Sequence, residues 1–182
     1  KFFKFRKTIL AEIDKLDGIF INSDLANSLP HTLNFGCHGI SAESLLISLD
    51  LERNQIENAD AIGNMGELNW LALGFNRIRK IESLSGLRRL RHLYLERNRL
   101  TGASLQPIAG LLALRSLSVR GNQVDDINAL TGMNQISWLE LDDNRIMDVT
   151  PLADMVLMEK LYIENNRVTK LESLVKLVAL KK

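Results

Sequence analysis

The residue types in this sequence that are most often reactive are one cysteine and the histidine beside it. Cys37 and His38 are the residue types that form a nucleophile and its base. Neighbouring residues on an extended strand face opposite sides, however, so the pair is poorly placed for that chemistry. His31 and His92 lie elsewhere in the chain, and no His-Glu-x-x-His or paired Cys-x-x-Cys motif is present. We therefore expect neither a catalytic site nor a zinc site.

Two acidic pairs are the remaining candidates for metal chemistry. Asp125-Asp126 and Asp142-Asp143 could attract calcium, which binds several carboxylate and carbonyl oxygens. The alternative interpretation is that they are solvated carboxylates in turns. Phosphate-binding loops are missing as well, because neither Gly-x-x-x-x-Gly-Lys-Ser/Thr nor Gly-x-Gly-x-x-Gly occurs. We expect no cofactor, no bound metal and no enzymatic activity.

Composition and charge narrow the class of protein further. Hydrophobic residues make up 46% of the chain, enough to build a buried core. Lysine and arginine number 23 against 22 aspartates and glutamates, so binding of a polyanion would require these charges to be strongly segregated in space. No apolar run approaches the roughly 18 residues of a membrane-spanning helix. We expect no membrane span.

Cysteine usage and the first residues bear on the compartment. A single cysteine, Cys37, cannot form an internal disulfide, and no Asn-x-Ser/Thr glycosylation acceptor occurs. Residues 1–7 are basic and aromatic but lack the long apolar stretch and cleavage site of a signal peptide. Attachment to an anionic membrane is the alternative for this segment, although the acidic residues that follow favour a packed cap. We expect a cytoplasmic protein, with a bacterial surface protein or secreted effector as the alternative.

A nine-residue phrase, apolar-x-x-Leu-x-apolar-x-x-Asn, recurs six times along the chain. Its copies are spaced by about 22 residues, with one step of about 24. Self-similarity at this period indicates a solenoid, in which each unit buries its apolar face only against its neighbours. The six copies start at Leu46, Leu68, Leu90, Leu114, Ile136 and Met158.

The phrase resembles that of the leucine-rich-repeat family, and more narrowly its short class, found in the regulatory subunit of type-1 protein phosphatase and in bacterial internalins. The resemblance covers roughly residues 46–182. Residues 78–87 are similar to the tight helical turn of that class, and residues 148–152 are especially similar to internalin repeats. The resemblance implies an α/β solenoid: a curved stack with a parallel sheet on its concave side and short helical turns on its convex side.

The physics of one phrase agrees with this resemblance. In the copy that starts at Leu90 the apolar residues alternate, so Leu93 and Leu95 should point into the core while His92, Tyr94 and Glu96 point outward. Each phrase is therefore one short strand. The terminal asparagine falls where the chain turns and leaves backbone donors and acceptors that a side-chain amide can satisfy. We predict a buried ladder formed by Asn54, Asn76, Asn98, Asn122, Asn144 and Asn166.

The flanks of the array give the domain organisation. Apolar residues recur at helical spacing over residues 4–16, which predicts an amphipathic capping helix. Residues 33–40 are similar to a degenerate extra repeat. We therefore expect a helical cap or flank at residues 1–28, followed by a repeat domain of one degenerate and six clear repeats at residues 29–182. A seventh phrase would begin at Leu180, so we expect the array to be truncated.

Repeat phase also predicts a surface, because outward residues at the same phrase position should form rows across the concave sheet. These rows contain both tryptophans and both tyrosines of the chain. Such residues are enriched at binding hot spots, although scattered exposed aromatic residues are also normal. The rows at the third, fifth and seventh positions are Ser48, Trp70, His92, Ser116, Trp138 and Lys160; Asp50, Ala72, Tyr94, Ser118, Glu140 and Tyr162; and Glu52, Gly74, Glu96, Arg120, Asp142 and Glu164.

Charge on these rows indicates the kind of partner. The fifth and seventh rows contain six carboxylates and only one cation, Arg120. Along one edge, by contrast, a basic row is formed by Arg77, Arg99, Arg145 and Arg167. We expect a partner protein with a basic or mixed-charge segment; the alternative is a solvated charge pattern. The acidic rows argue against nucleic acid. The expected partner-binding residues are Trp70, His92, Tyr94, Glu96, Arg120, Trp138, Glu140, Asp142 and Tyr162.

Two functions remain open from the sequence. The first is a protein–protein interaction scaffold that binds its partner on the concave face. The second is a recognition or accessory domain of a larger enzyme or bacterial effector whose catalytic part lies outside this chain.

Overall fold

The computed structural model describes residues 19–21, 35–37 and 47–181, with side chains from residue 51 onward, and the chain divides into two compact units at residues 1–45 and 46–182. In the first unit β1 (Ile19–Ile21) pairs antiparallel with β2 (Phe35–Cys37). Of the predicted degenerate repeat at residues 33–40 only β2 is described, so that repeat stays a prediction. The predicted capping helix and the predicted boundary at residue 28 lie outside the described residues.

The second unit is built on one parallel sheet with one strand from each clear repeat. Adjacent strands in the chain are adjacent in the sheet, in the order β3-β4-β5-β6-β7-β8. The register matches the phrase positions, since Leu71 lies opposite Leu93 and Leu93 opposite Leu117. The strands are β3 (Ile47–Asp50), β4 (Leu68–Ala72), β5 (His92–Tyr94), β6 (Ser116–Ser118), β7 (Trp138–Glu140) and β8 (Lys160–Tyr162).

Alternation along each strand places the leucines in the core. Leu93 and Leu95 are both 0% exposed, as the period-two pattern predicts. Their equivalents in the other central repeats are buried in the same way, so the interior is one continuous apolar column shared by neighbouring repeats.

Short 3₁₀ helices return the chain along the convex side. Each carries leucine or isoleucine residues that pack on the sheet, as Leu84 does in the second. The curved solenoid with short helical turns is therefore confirmed. In the described part of the chain no helix is long and apolar enough to span a membrane. The helices are η1 (Asp60–Ile62), η2 (Glu82–Gly86), η3 (Ala103–Ile108), η4 (Asn128–Leu130), η5 (Thr150–Leu152) and η6 (Glu172–Lys176).

The predicted asparagine ladder is confirmed in the central repeats. The Asn98 side chain is 8% exposed, and its Nδ2 donates to the carbonyl oxygens of Leu73 at 2.9 Å and Leu95 at 3.1 Å. Its Oδ1 accepts the N–H of Ile78 at 2.9 Å. One amide thus ties two repeats together and satisfies backbone groups that no strand pairs. Asn76, Asn122 and Asn144 repeat this pattern.

The longer third repeat is accommodated near Gly102. Its helix η3 has six residues and contains Pro107. A Cβ at Gly102 would lie 2.7 Å from the Asp126 Cβ and 2.8 Å from the Asp126 nitrogen. Glycine is required here by the close approach of the next repeat and not by backbone angle, since its φ is −56°.

The residue before each asparagine adopts left-handed backbone geometry. Its φ lies between 50° and 66° in all six repeats, a region that favours glycine, asparagine and aspartate. The repeat therefore imposes the same sharp turn whatever residue occupies the position. The occupants are Arg53, Phe75, Arg97, Gly121, Asp143 and Asn165.

Candidate functional site

Four aromatic side chains form one connected row across the concave sheet. Trp70 of β4 contacts Tyr94 of β5 with ring centroids 5.6 Å apart. Tyr94 contacts Trp138 of β7 at 5.9 Å, and Trp138 contacts Tyr162 of β8 at 6.1 Å. All three pairs are tilted or edge-to-face, which are favourable arrangements for aromatic rings. These four residues are called the aromatic row below.

Strand β6 explains how the row stays continuous. This strand contributes only Ser116 and Ser118 to the outer face, so the rings of Tyr94 and Trp138 meet although their strands are not neighbours. Ser118 is 1% exposed, and its hydroxyl donates to Glu140 Oε2 at 2.8 Å. The prediction that Ser118 faces solvent is wrong, because larger side chains from the adjacent strands cover it.

The aromatic row is ordered but still accessible. Trp70, Tyr94 and Trp138 are half-buried, and Tyr162 is 42% exposed. Each ring packs against at least one other ring, which restricts its rotamers before any partner arrives. A partner that covers this row loses little side-chain entropy on the chain's side of the interface.

His92 lies on the same face beside the row. Its Nδ1 is 3.0 Å from the Ser116 Oγ. Burial holds the pKa of His92 below the ordinary value of 6.5, with further lowering from the nearby Arg115 and Arg91. Because the imidazole is mostly neutral at pH 7, it serves as a hydrogen-bonding group there and not as a cation.

Glu96 fills the space left by a glycine in the preceding repeat. A Cβ at Gly74 would lie 2.7 Å from the Glu96 Cδ, so the carboxylate lies directly over that backbone. Burial raises the pKa of Glu96, and the negative charges of Glu52 and Glu140 raise it further. Its Oε2 is buried and has no hydrogen-bond partner among the described residues, which leaves an acceptor on the face unsatisfied.

Arg120, Glu140 and Asp142 of the face already have bonding partners within the structure. Arg120 lies 3.4 Å from Glu140 Oε1 and 3.3 Å from Asp143 Oδ2. Asp142 is only 8% exposed, and its Oδ1 accepts the Glu164 N–H at 2.6 Å. The prediction that Asp142 faces solvent is wrong, because its carboxylate turns back to satisfy the backbone of the next repeat. Burial raises the pKa of Asp142.

The acidic pairs act as acceptors in turns. Asp126 Oδ1 accepts the Asn128 N–H at 2.6 Å, and Asp125 Oδ1 accepts the Gly102 N–H at 3.2 Å. Over residues 47–181 and the two short strands before them, no group of three or more histidine, cysteine, aspartate or glutamate side chains is arranged to hold a metal ion. The side chains of Cys37, His31 and His38 lie outside the described residues.

Sequence reasoning missed Phe75. This residue is 39% exposed, and the guanidinium carbons of Arg53 and Arg97 lie 5.3 Å and 5.7 Å from its ring centroid. The signal was present in the sequence, because the position before the asparagine is otherwise polar, charged or glycine. The predicted basic row of Arg77, Arg99 and their two equivalents is exposed as expected.

Comparisons with known proteins agree with this geometry. A family model described as leucine rich repeat matches residues 44–100. An internalin of Listeria monocytogenes, InlF, is similar in structure with a TM-score of 0.74 and 21% identity, over 97% of this chain and 47% of that one. Internalin C2 of the same organism has a TM-score of 0.64 and 29% identity, over 75% of this chain and 69% of that one.

A third neighbour comes from a plant. The leucine-rich-repeat ectodomain of an Arabidopsis thaliana membrane receptor kinase, solved in complex with CASPARIAN STRIP INTEGRITY FACTOR 2, has a TM-score of 0.65 and 21% identity, over 76% of this chain and 18% of that one. This chain thus spans about half the length of InlF and less of the plant ectodomain. No curated protein sequence matches it. Six stacked repeats, their asparagine ladder and these matches show that residues 46–182 form a leucine-rich-repeat solenoid.

Proposed function

We propose that the concave face of residues 46–182 is a binding surface for a partner protein, with the aromatic row as its anchor, and that the chain acts by binding and not by catalysis. The mutual contact of Trp70, Tyr94, Trp138 and Tyr162 across the sheet is the observation that carries this proposal. Aromatic side chains contribute large buried areas with few rotatable bonds, and they recur at the centres of protein interfaces.

The fold itself does not require these aromatic residues. The core is filled by leucine, isoleucine, valine, methionine and alanine, and the aromatic row lies on the opposite side of the strands. At equivalent positions β6 carries serines without loss of strand pairing. Four aromatic residues at positions where small polar residues also fold therefore favour a role in recognition.

Charge near the row supports a partner with a basic or mixed-charge segment. Glu96, two residues after Tyr94, is a partly exposed acidic residue of this face. A lysine or arginine of the partner would pair with this carboxylate and lie against the aromatic rings. Glu140 and Asp142, by contrast, already bond within the face and would orient it more than contact the partner.

The plant neighbour, solved with a bound factor, supports a binding role for this architecture. A recognition domain of a larger enzyme or effector would use the same face, so the same variants test that alternative. The proposal applies to a cytoplasmic protein and equally to a bacterial surface or secreted one.

Affinity capture with matched variants tests the proposal. The chain is immobilised, retained proteins are identified, and the affinity of the best retained protein is measured for the wild type and for Trp70→Ala combined with Tyr94→Ala. We expect the double variant to bind more than about 30-fold more weakly, a loss of more than about 2 kcal/mol.

The control is a double alanine variant at two exposed apolar residues outside the concave face. Leu112 and Met147 are 57% and 60% exposed, and Leu112→Ala combined with Met147→Ala should keep wild-type affinity. Equal loss in both double variants, or no loss in the aromatic one while its circular dichroism spectrum stays native, contradicts the proposal.

A further inference from the structure

Positive charge is concentrated in the middle of the repeat array. Between Arg77 and Arg120 the sequence holds nine arginines and one lysine against two glutamates. The flanking stretches are acidic: residues 46–76 carry five acidic residues and one arginine, and residues 121–182 carry ten acidic and seven basic residues. The near-zero net charge of the chain therefore hides a segregated basic block, which is the condition for electrostatic capture of an anion.

Most of these cations lack a carboxylate partner. Among the described residues only Arg89, which pairs with Glu67, and Arg120, which pairs with Glu140 and Asp143, form ion pairs within the block. The others are exposed. Unlike Arg89 and Arg120, Arg97 and Arg99 of the third repeat form no ion pair with an acidic side chain in the described structure.

Several unpaired cations lie together just past the ends of the strands. The backbone N–H of Arg77 donates to the Ile56 carbonyl oxygen, and that of Arg99 donates to the Ile78 carbonyl oxygen. The two arginines therefore hold equivalent positions in adjacent repeats. Arg99 also lines an open cleft of about 390 Å³ with Arg79 and Lys80.

That cleft combines cations with hydroxyl groups. Thr101 and Ser104 line it beside the three cations, and Glu82 is the one acidic residue of its lining. Ser104 Oγ donates to the Arg79 carbonyl oxygen at 2.9 Å, which ties the helix η3 to the preceding repeat. The cations thus project from a braced backbone and not from a free loop.

Phe75 holds two further cations at the turns that precede the asparagines. Its ring lies between Arg53 of the preceding repeat and Arg97 of the following one, at 5.3 Å and 5.7 Å. The ring stays exposed in a left-handed turn with φ of 56°, a conformation in which a bulky residue is costly. Asparagine would suit this turn better, but it would not hold the two guanidinium groups through cation–π contacts.

We infer that Arg77, Arg79, Lys80, Arg97 and Arg99, called the arginine edge, form a second docking surface for a short acidic segment, rich in aspartate and glutamate, of a protein partner. Clustered arginines recognise acidic motifs through charge-assisted and bidentate hydrogen bonds. This surface uses none of the residues of the aromatic row, so it is independent of the function proposed above.

A protein segment fits this surface better than a nucleic acid does. Single-stranded nucleic acids bind by stacking their bases on free aromatic faces, and two guanidinium groups already lie over the Phe75 ring. The carboxylates of Glu52 and Glu96 lie in the adjacent row of the concave face, where they would repel a phosphate backbone that extends past the edge. A short acidic peptide needs no free stacking face, and its few residues can stay on the arginine edge, away from these two carboxylates.

Fluorescence anisotropy with a labelled oligoglutamate peptide at low salt tests the inference on the whole chain. The test variant is Arg77→Gln with Arg99→Gln. The control is Arg145→Gln with Arg167→Gln, which changes the same phrase position and the same net charge outside the basic block. We expect the test variant to bind at least about tenfold more weakly than wild type, and the control to bind within about twofold of it.

Two further arms complete the experiment. Phe75→Asn should weaken binding of the peptide without lowering the melting temperature, since asparagine relaxes the turn but releases Arg53 and Arg97. Trp70→Ala with Tyr94→Ala should leave the affinity for the peptide unchanged, even if that variant loses affinity for a concave-face partner. The inference is overturned if the wild type does not bind oligoglutamate, if the test and control variants lose affinity equally, or if oligouridylate RNA binds more tightly than the peptide.

Discussion

Replacing Asn98 by alanine tests how the repeats are tied together. The expected loss of unfolding free energy can be worked out from the hydrogen bonds that the substitution removes. Three carbonyl oxygens accept from the Asn98 amide, but each keeps a second donor in the variant: Leu73 from Asn76, Leu95 from Asn122, and Glu96 from the backbone N–H of Phe75. These carbonyl groups therefore stay satisfied.

The Ile78 N–H is different, because Asn98 Oδ1 is the acceptor that the structure gives it. Ile78 is 0% exposed, so water cannot replace the lost bond. A buried donor left unpaired costs about 1 to 3 kcal/mol. A loss of about 2 kcal/mol corresponds to a fall in melting temperature of about 4 to 8 °C in a domain of this size.

Urea and thermal unfolding followed by circular dichroism measure this loss. The control is Asn134→Ala, at an exposed turn where the side chain makes no hydrogen bond in the described structure, and it should change the unfolding free energy by less than about 0.5 kcal/mol. If Asn98→Ala unfolds like the wild type, or if the two alanine variants lose equal stability, the assignment of the asparagines as ties between repeats is incorrect.

Three other predictions concern the core, a close backbone approach and a titration. Leu93→Ala should lower the unfolding free energy by about 2 to 5 kcal/mol, while Leu112→Ala, at an exposed site, should change it by less than about 0.5 kcal/mol in the same urea titration. Gly102→Ala should lower the melting temperature because its Cβ has no space, whereas Gly66→Ala, with nothing within 4 Å, should not; equal effects would show that the repeats do not meet there. The NMR titration midpoint of His92 should fall below 6.5, because burial and two arginines lower its pKa. Since the folded pKa lies below the unfolded one, the neutral ring's contribution to stability is present above pH 6.5 and is lost as the pH falls through the folded pKa; a midpoint at or above 6.5 would contradict this.

Most of the repeat architecture could be predicted from sequence because the same few contacts recur. Period-two alternation places Leu93 and Leu95 inside, and the phrase asparagine places Asn98 at the turn. These features depend on backbone geometry that every repeat shares. Stacking at a fixed register then aligns equivalent residues, which is why the rows predicted from phrase position are the rows that the sheet contains.

The local chemistry of the face could not be predicted in the same way. Phase places Ser118 and Asp142 on the outer side of the sheet, but whether a side chain there reaches solvent depends on its neighbours' sizes and on backbone groups that accept or donate. Ser118 is covered because the side chains around it are large, and the Asp142 carboxylate accepts the Glu164 N–H of the next repeat instead of projecting into solvent. Contacts between rings on non-adjacent strands, such as Tyr94 with Trp138, also need coordinates.

The first unit shows the limit of the repeat signal. The degenerate repeat at residues 33–40 stays a prediction; its described part, Phe35–Cys37, pairs antiparallel with Ile19–Ile21. Where the phrase loses its regular leucines and asparagine, the periodic contacts that enforce a parallel register are no longer specified.

The most direct measurement of the central claim uses the fact that the chain has only two tryptophans, Trp70 and Trp138, and both lie in the aromatic row. Incorporation of 5-fluorotryptophan gives two fluorine NMR signals, each assigned by a single Trp→Phe variant, and a partner obtained by affinity capture is titrated in. If the concave face is the docking surface, both signals shift or broaden in proportion to the complex formed. If the complex forms while both signals remain unchanged, the partner binds elsewhere and the account of this face is wrong.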